Sequence, residues 1–284
     1  MSMKTVTGKL IQIEGLPGSG KSTAAQRTAE LLTRKGLAVS LSREGDTSHP
    51  ADFESAALLS EEELTAQYTL FPEYRNSIQQ HMQLIDDQVI IYYGSLFASL
   101  PERPSRELVE FLTSRDVYNL PLQQFCTTTR DKWRSFTEQA VNVPQTHLFE
   151  CCLVQNQVTT LMAVHAAPYD AILAQLQAIL DIISPLSPRV IFLHQSDVGE
   201  SLRAMIAERP RQWSEFVISY VTGQAYGKSY GLSRDAEGMV QFYQEMQDIQ
   251  LKLLEDLKVD YISIPDTLDW EQKYEQIIAY LTAG

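Results

Sequence analysis

Positive charge is scarce in this chain. Among 284 residues, 23 Lys and Arg face 36 Asp and Glu, a net charge of −13. A general nucleic-acid binder needs a basic face, so that class is set aside. Cysteine is scarce as well: there are three, with Cys151 and Cys152 adjacent and Cys126 alone. Neither a zinc-type spacing nor a disulfide framework fits them, and buried thiols beside a strand are expected. The histidines His49, His81, His147, His165 and His194 form no i,i+4 metal pair. No apolar run reaches the roughly 20 residues that span a bilayer. Met1-Ser2-Met3-Lys4 lacks the apolar stretch of a secretory signal, so cytoplasm is the expected compartment. There is no low-complexity run and no internal repeat. At 44% hydrophobic and 21% charged, the chain has an ordinary globular composition and enough length to bury a sizeable core.

What is present is concentrated in Gly15-Leu16-Pro17-Gly18-Ser19-Gly20-Lys21-Ser22-Thr23. This run matches G-x-x-x-x-G-K-S/T, the loop that wraps nucleotide phosphates. Leu10-Ile11-Gln12-Ile13 before it reads as a buried strand, and Thr23 to Lys35 after it as a helix stopped by Gly36. Gly18 and Gly20 permit a tight curl, because glycine has no Cβ to forbid positive φ. The curl turns successive N–H groups inward as an anion nest at a helix N-terminus. Lys21 is expected to face solvent until it meets the β- and γ-phosphates of ATP, and Ser22 to ligate Mg²⁺. Gly15, Pro17, Gly18, Ser19, Gly20, Lys21, Ser22 and Thr23 are the expected nucleotide contacts. The dinucleotide fingerprint G-x-G-x-x-G fails, since Thr23 stands at the third glycine position.

Further along, strands alternate with helices, which implies an α/β fold with a mainly parallel sheet. Leu37 to Leu41 reads as a second strand running into the polar loop Ser42-Arg43-Glu44-Gly45-Asp46. Thr146-His147-Leu148-Phe149, ending at Glu150, is the next clear sheet strand. Between them, 53–145 reads as a mainly helical insertion on the substrate side of a single domain spanning 1–284, with Gln88 to Gly94 extended. Ile172, Leu176, Ile179 and Ile183 share one face of a helix over Asp170 to Ile183. Arg189 to Leu193 is apolar on both faces, as a central parallel strand requires. Asp197 and Glu200 open a helix carrying Arg203 to Arg209. Trp213, Phe216, Val217, Tyr220 and Val221 share the next helical face. Gly223 to Gly238 reads as a glycine-rich loop bearing Lys228 and Arg234. A long helix through Phe242 to Leu257, a strand over Tyr261 to Ile264 and a helix with Trp270, Tyr274, Ile277 and Leu281 inward complete the chain.

Assembled this way, the chain resembles the P-loop kinases of small molecules, in particular the thymidylate kinase and deoxynucleoside kinase group. The likeness rests on Ile13-Glu14-Gly15 leading into the phosphate loop, on Glu150 ending a sheet strand, and on the strand–helix–arginine run from Val190 to Arg211. It covers roughly Leu10 to Leu41 and Thr146 to the C-terminus; the insertion is unmatched. The resemblance implies the three-layer P-loop NTPase fold, with strand order 2-3-1-4-5. It implies ATP and Mg²⁺ as cofactors and an arginine-bearing lid, for which Arg203, Arg209 and Arg211 are the candidates. The family's Asp-Arg after the third strand is replaced here by Glu150-Cys151-Cys152, and Arg43-Glu44-Gly45 only approximates its acid–arginine pattern.

Phosphoryl transfer needs aligned phosphates, neutralised charge and an oriented acceptor. Glu150, at a strand C-terminus, suits Mg²⁺ binding or acceptor positioning. Glu44 at the neighbouring strand end suits a general base, which a nucleoside acceptor requires and a nucleoside monophosphate does not; Asp46 is its substitute. Arginine suits a lid because its planar fork donates to two phosphate oxygens, although Arg203 and Arg209, six apart, do not share a helix face. Phe71, Tyr74, Arg75, Arg115 and Tyr118 offer acceptor contacts from the insertion. The expected partner is a small-molecule phosphate acceptor, with a homodimer compatible. The competing readings are a kinase of another hydroxylated metabolite or antibiotic, and a non-kinase ATP-hydrolysing module acting on a protein partner. Asp235-Ala236-Glu237-Gly238 matches D-x-x-G by letters only, and no N-K-x-D follows, so a GTPase switch is disfavoured.

Overall fold

The computed structural model describes residues 8–85 and 88–283; the Met1–Lys4 stretch read above lies outside them. In chain order the elements are β1 (Leu10–Gly15), α1 (Lys21–Arg34), β2 (Val39–Ser42), β3 (Ala56–Leu59), α2 (Glu61–Leu70), α3 (Arg75–Gln80), β4 (Met82–Ile85) and β5 (Gln88–Tyr92). Then come α4 (Tyr93–Ser99), α5 (Arg106–Ser114), α6 (Leu122–Ala140), β6 (Thr146–Glu150), α7 (Gln155–Ala163), α8 (Tyr169–Ile183) and β7 (Arg189–His194). The chain closes with α9 (Val198–Glu208), α10 (Arg211–Gly223), α11 (Ala225–Tyr230), α12 (Ala236–Asp256), β8 (Asp260–Pro265) and α13 (Trp270–Thr282). Two compact units result, one from Met1–Glu44 with Arg134–Gly284, the other Gly45–Trp133.

The first unit is built on a five-stranded sheet in the order β2-β6-β1-β7-β8, with every pair parallel. Counted along this sheet, that is the order 2-3-1-4-5 which the resemblance implies, and the α/β class is as expected. β1 is central and wholly buried, so its side chains must suit both faces. Ile11 and Ile13 pack with Ala24, Leu32, Ile277 and Leu281 from α1 and α13. Each fully buried Leu or Ile of this kind stabilises by about 1.5–3 kcal/mol relative to exposure. Gln12 and Glu14 alternate onto the opposite face, where they meet Cys152 and the start of α7.

α1 begins two residues earlier than the periodicity predicts. Gly20, at φ 88°, caps it directly, so Lys21 and Ser22 belong to the first turn. The sequence gives Phe216 a shared apolar helix face and Trp270 an inward one, yet they are 67% and 38% exposed. Phe216 stacks on Tyr220 instead, and Trp270 on Tyr274. The region Gly223 to Gly238 is not an open loop, because α11 occupies its middle and α12 its end. Two of its glycines serve close packing: a Cβ on Gly227 would lie 2.1 Å from the Thr222 carbonyl oxygen, and one on Gly238 1.9 Å from that of Ser233.

The second unit holds a three-stranded antiparallel sheet, β3-β5-β4. Ala57, Leu59, Val89 and Ile91 form its core with Ile78, Leu108 and Leu112 from the helices. The extended segment read at Gln88 to Gly94 is β5, which gives way to α4 at Tyr93. β3 and β4 escape sequence reading because each has only four residues, too few to show a period. The unit spans Gly45–Trp133. Among the described residues no helix is long and apolar enough to cross a membrane.

Candidate active site

The phosphate loop leaves β1 at Gly15, whose φ of 144° is closed to side-chain-bearing residues. A Cβ there would lie 2.6 Å from the Leu193 carbonyl oxygen and 2.8 Å from Ser19 Oγ. Gly20 is equally constrained, because the Trp270 ring lies 2.7 Å from the position its Cβ would take. Met205 of α9 lies 3.3 Å from the corresponding point at Gly18, so α9 runs against the loop.

Lys21 departs from expectation. Its side chain is buried, not solvent-facing, and Nζ donates to the Leu16 carbonyl at 2.9 Å. The first turn of α1 points the ammonium back across the loop, where Glu14 is a charged neighbour.

Ser22 Oγ donates to Glu150 Oε1 at 2.5 Å. Parallel pairing brings these groups together, since Ile13 stands opposite Glu150 in register and the loop springs from the end of β1. Glu150 is 2% exposed. The next residue, Cys151, adopts φ 57°, an uncommon conformation for a residue with a Cβ. Its N–H donates to the Ile13 carbonyl at 2.9 Å and its carbonyl accepts from Asn156 N–H at 3.0 Å. Cys151 and Cys152 are buried as expected, whereas Cys126 is half-buried on α6.

Glu14, which in the sequence carries only the family likeness, is a hub of the site. It is fully buried. Oε1 accepts from the N–H groups of Leu153 and Val154, each at 3.0 Å, and Oε2 from that of Gln155 at 2.8 Å. Burial pushes its carboxyl up to about 7, against the lowering effect of those N–H groups and of Lys21. A carboxylate in a buried strand just ahead of a glycine loop is the sequence signal that could have exposed it. Gln155, also unread in the sequence, donates Nε2 to Glu44 Oε1 at 3.4 Å. Glu44 itself is exposed. Nearby, burial raises the Tyr243 hydroxyl well above its ordinary range, with Glu44 and Tyr220 adding to the shift.

The arginines are engaged with their own helices and neighbours. Arg203 forms a bidentate pair with Glu237 at 3.0 and 2.8 Å. Arg209 lies 5.4 Å from the Trp213 ring centroid, and Arg211 pairs with Glu215 at 2.7 Å. They flank the α9–α10 junction, and Met205, between Arg203 and Arg209, is the side chain that meets the loop at Gly18. Exposed ion pairs contribute under about 1 kcal/mol, so these guanidinium groups exchange partners at small cost.

In the second unit, Asp46 accepts from Ser48 N–H and Oγ in a tight turn. Arg75 lies over Tyr68, Arg115 pairs with Glu63 at 2.9 Å, Phe71 and Tyr74 are ring neighbours, and Tyr118 donates to Asp52. Beside Asp52 is Lys132, which the sequence did not single out. It is buried, donates to the Tyr92 hydroxyl at 2.5 Å and lies 5.5 Å from the Phe53 centroid. Burial lowers its amine to about 8, and Asp52 restores part of the loss.

The phosphate loop fits a nucleotide and its metal. The glycine curl, a buried cation and a hydroxyl–carboxylate pair are the donor set for polyphosphate and Mg²⁺. Among the described residues no group of three or more His, Cys, Asp or Glu gathers as a metal site of its own, so phosphate oxygens would complete the shell.

No protein-family model matches the chain. Two curated thymidylate kinases from Legionella pneumophila, strains Corby and Paris, are 52% identical to it over 42 residues, 15% of this chain. The likeness is to thymidylate kinases. The matched segment spans only 20% of the length of these relatives. Among solved structures, thymidylate kinase from Candida albicans aligns over 97% of this chain and 92% of its own, with 14% identity and a TM-score of 0.42. Thymidylate kinase from Ehrlichia chaffeensis aligns over 96% and 97%, with 12% identity and a TM-score of 0.44.

Proposed function

We propose that this protein is a cytoplasmic ATP-dependent phosphotransferase whose acceptor is a small molecule, a nucleoside or nucleoside monophosphate. The observation that carries the reading is the Ser22–Glu150 contact of 2.5 Å, one residue beyond Lys21 in a glycine loop. A hydroxyl and a carboxylate held together at that point form the two protein corners of a magnesium site. The short match to thymidylate kinases favours the nucleotide acceptor.

The N–H groups from Gly18 to Ser22 would hold the phosphates, and Ser22 with Glu150 would hold Mg²⁺, which when bound neutralises charge on the transferring phosphoryl. Lys21 supplies a second cation. Glu44, steadied by Gln155, takes the proton of a hydroxyl acceptor. A phosphate acceptor, already ionised, needs no such base. Arg203, Arg209 and Arg211 are the cations that screen the phosphates from the α9–α10 side.

ADP release with Mg²⁺–ATP, measured across nucleosides, nucleoside monophosphates and hydroxylated antibiotics with Lys21→Ala as blank, tests this. Stimulation by one acceptor, lost in the variant, is the expected result. A flat panel with tight ATP binding would replace the reading by a nucleotide-gated module with a protein partner.

A further inference from the structure

We propose that Glu14 is a positioning residue for phosphoryl transfer, setting the Glu150–Gln155 segment against the phosphate loop. The inference rests on the phosphotransferase reading above. Three successive N–H groups, from Leu153, Val154 and Gln155, converge on its two carboxylate oxygens at 3.0, 3.0 and 2.8 Å. Leu153 and Val154 lead into α7 and Gln155 opens it, and the N-cap residue Val154 offers no side-chain cap, so these donors find no partner within the helix itself. A carboxylate placed there satisfies the donors and favours the helix terminus electrostatically.

The consequence reaches both ends of the segment. Upstream, the chain passes from Glu150 through the left-handed Cys151, a conformation that persists only where its surroundings impose it. Cys151 N–H holds the Ile13 carbonyl at 2.9 Å, one residue before Glu14, so β1 grips the turn at two adjacent points. Downstream, Gln155 uses its backbone N–H on Glu14 and its amide on Glu44. One buried carboxylate therefore indexes the Glu150 carboxylate to Ser22 and the Gln155 amide to Glu44. Glu14 touches neither directly, and it acts through the backbone.

A neutral amide of the same shape cannot replace it, because one of its two ends donates and would meet an N–H. Glu14→Gln therefore loosens the segment while preserving volume. Second-layer partners of this kind typically affect metal affinity or activity roughly 10–100-fold, and a loss in that range is expected in kcat. Nucleotide affinity in the absence of Mg²⁺ is expected to change little, since the loop amides are untouched.

The experiment combines three measurements on the full chain: amide exchange over 150–158, ADP affinity with and without Mg²⁺, and acceptor-dependent kcat. For Glu14→Gln, exchange at 153–155 should accelerate, ADP affinity in chelator should hold, and the Mg²⁺ enhancement of affinity should shrink with kcat. Glu14→Asp, which keeps the charge on a shorter arm, should fall between. It also serves as the test variant should the amide fail to fold. Unchanged exchange at 153–155, or wild-type Mg²⁺ enhancement and kcat, overturns the proposal. So does a loss of every parameter in proportion to unfolded protein, which marks a purely structural role. Wild-type protein without any acceptor-dependent ADP release instead sinks the phosphotransferase reading and the catalytic role with it, whatever the exchange shows.

Discussion

The Ser22 hydroxyl and the Glu150 carboxylate are hydrogen-bonded at 2.5 Å across 128 residues of chain. The contact joins the first turn of α1 to the end of β6. It exists because β1 and β6 are parallel neighbours, with Glu150 at the end of β6 opposite Ile13, two residues before β1 ends. Removing either partner has a defined cost. Glu150→Ala takes away a buried carboxylate beside the loop, and phosphoryl transfer is expected to fall by about 10²-fold or more. A titration of kcat against Mg²⁺ checks it: saturation should move to higher metal concentration. Unaltered metal dependence would remove Glu150 from the site.

Lys21→Ala should abolish transfer, and the burial of Lys21 adds a cost in stability. The ammonium donates to the Leu16 carbonyl and offsets the charge of Glu14. A hydrogen bond from a charged group is worth about 1.5–3 kcal/mol, so urea unfolding should show a loss of that order. An unfolding midpoint equal to wild type would mean that Lys21 is solvated in solution.

Lys132 makes stability rise with pH. Its amine titrates near 8 in the folded chain and at its ordinary 10.5 when unfolded. Between those values the unfolded chain holds more protons, so stability climbs as pH rises through the window and its cost is fully present below 8. From about pH 8 to 9.5 the gain is up to roughly 2 kcal/mol. Tyr92, pushed up to about 12, acts in the opposite sense only above the ordinary tyrosine range. Denaturant unfolding at several pH values should show the climb, and Lys132→Met should flatten it. A pH-independent wild type would show that Asp52 fully compensates the buried ammonium.

Gly238→Ala should destabilise without touching the phosphate site. The added methyl would lie 1.9 Å from the Ser233 carbonyl oxygen, at the start of α12, where Asp235 caps the helix through Glu237 and Gly238 N–H. Forced overpacking of this kind costs about 1–3 kcal/mol. Thermal unfolding gives the number, and nucleotide affinity at low temperature should match wild type. A neutral substitution would show that the α11–α12 connection yields, as an open loop would.

Local sequence was enough for whatever depends on neighbours in the chain. The contiguous loop from Gly15 to Thr23 announces its own curl, since glycine freedom and helix-start donors are properties of adjacent residues. Ile172 to Ile183 shows a helix period and Arg189 to Leu193 a two-faced strand, because burial imposes its repeat on each element. Glu150 was legible as a carboxylate at a strand end. What it meets was not. That Ser22 is its partner, that Glu14 holds the amides of 153–155, and that Gln155 reaches Glu44 are decided by which strand lies beside which and in what register. Such contacts join residues more than a hundred positions apart and leave no periodicity. The same holds for Gly227 and Gly238, whose composition suggested a flexible loop while packing against a carbonyl demands them. It holds for Lys21 too: its motif predicts a phosphate-binding ammonium, and only the folded loop, offering the Leu16 carbonyl within reach, decides that the ammonium is buried.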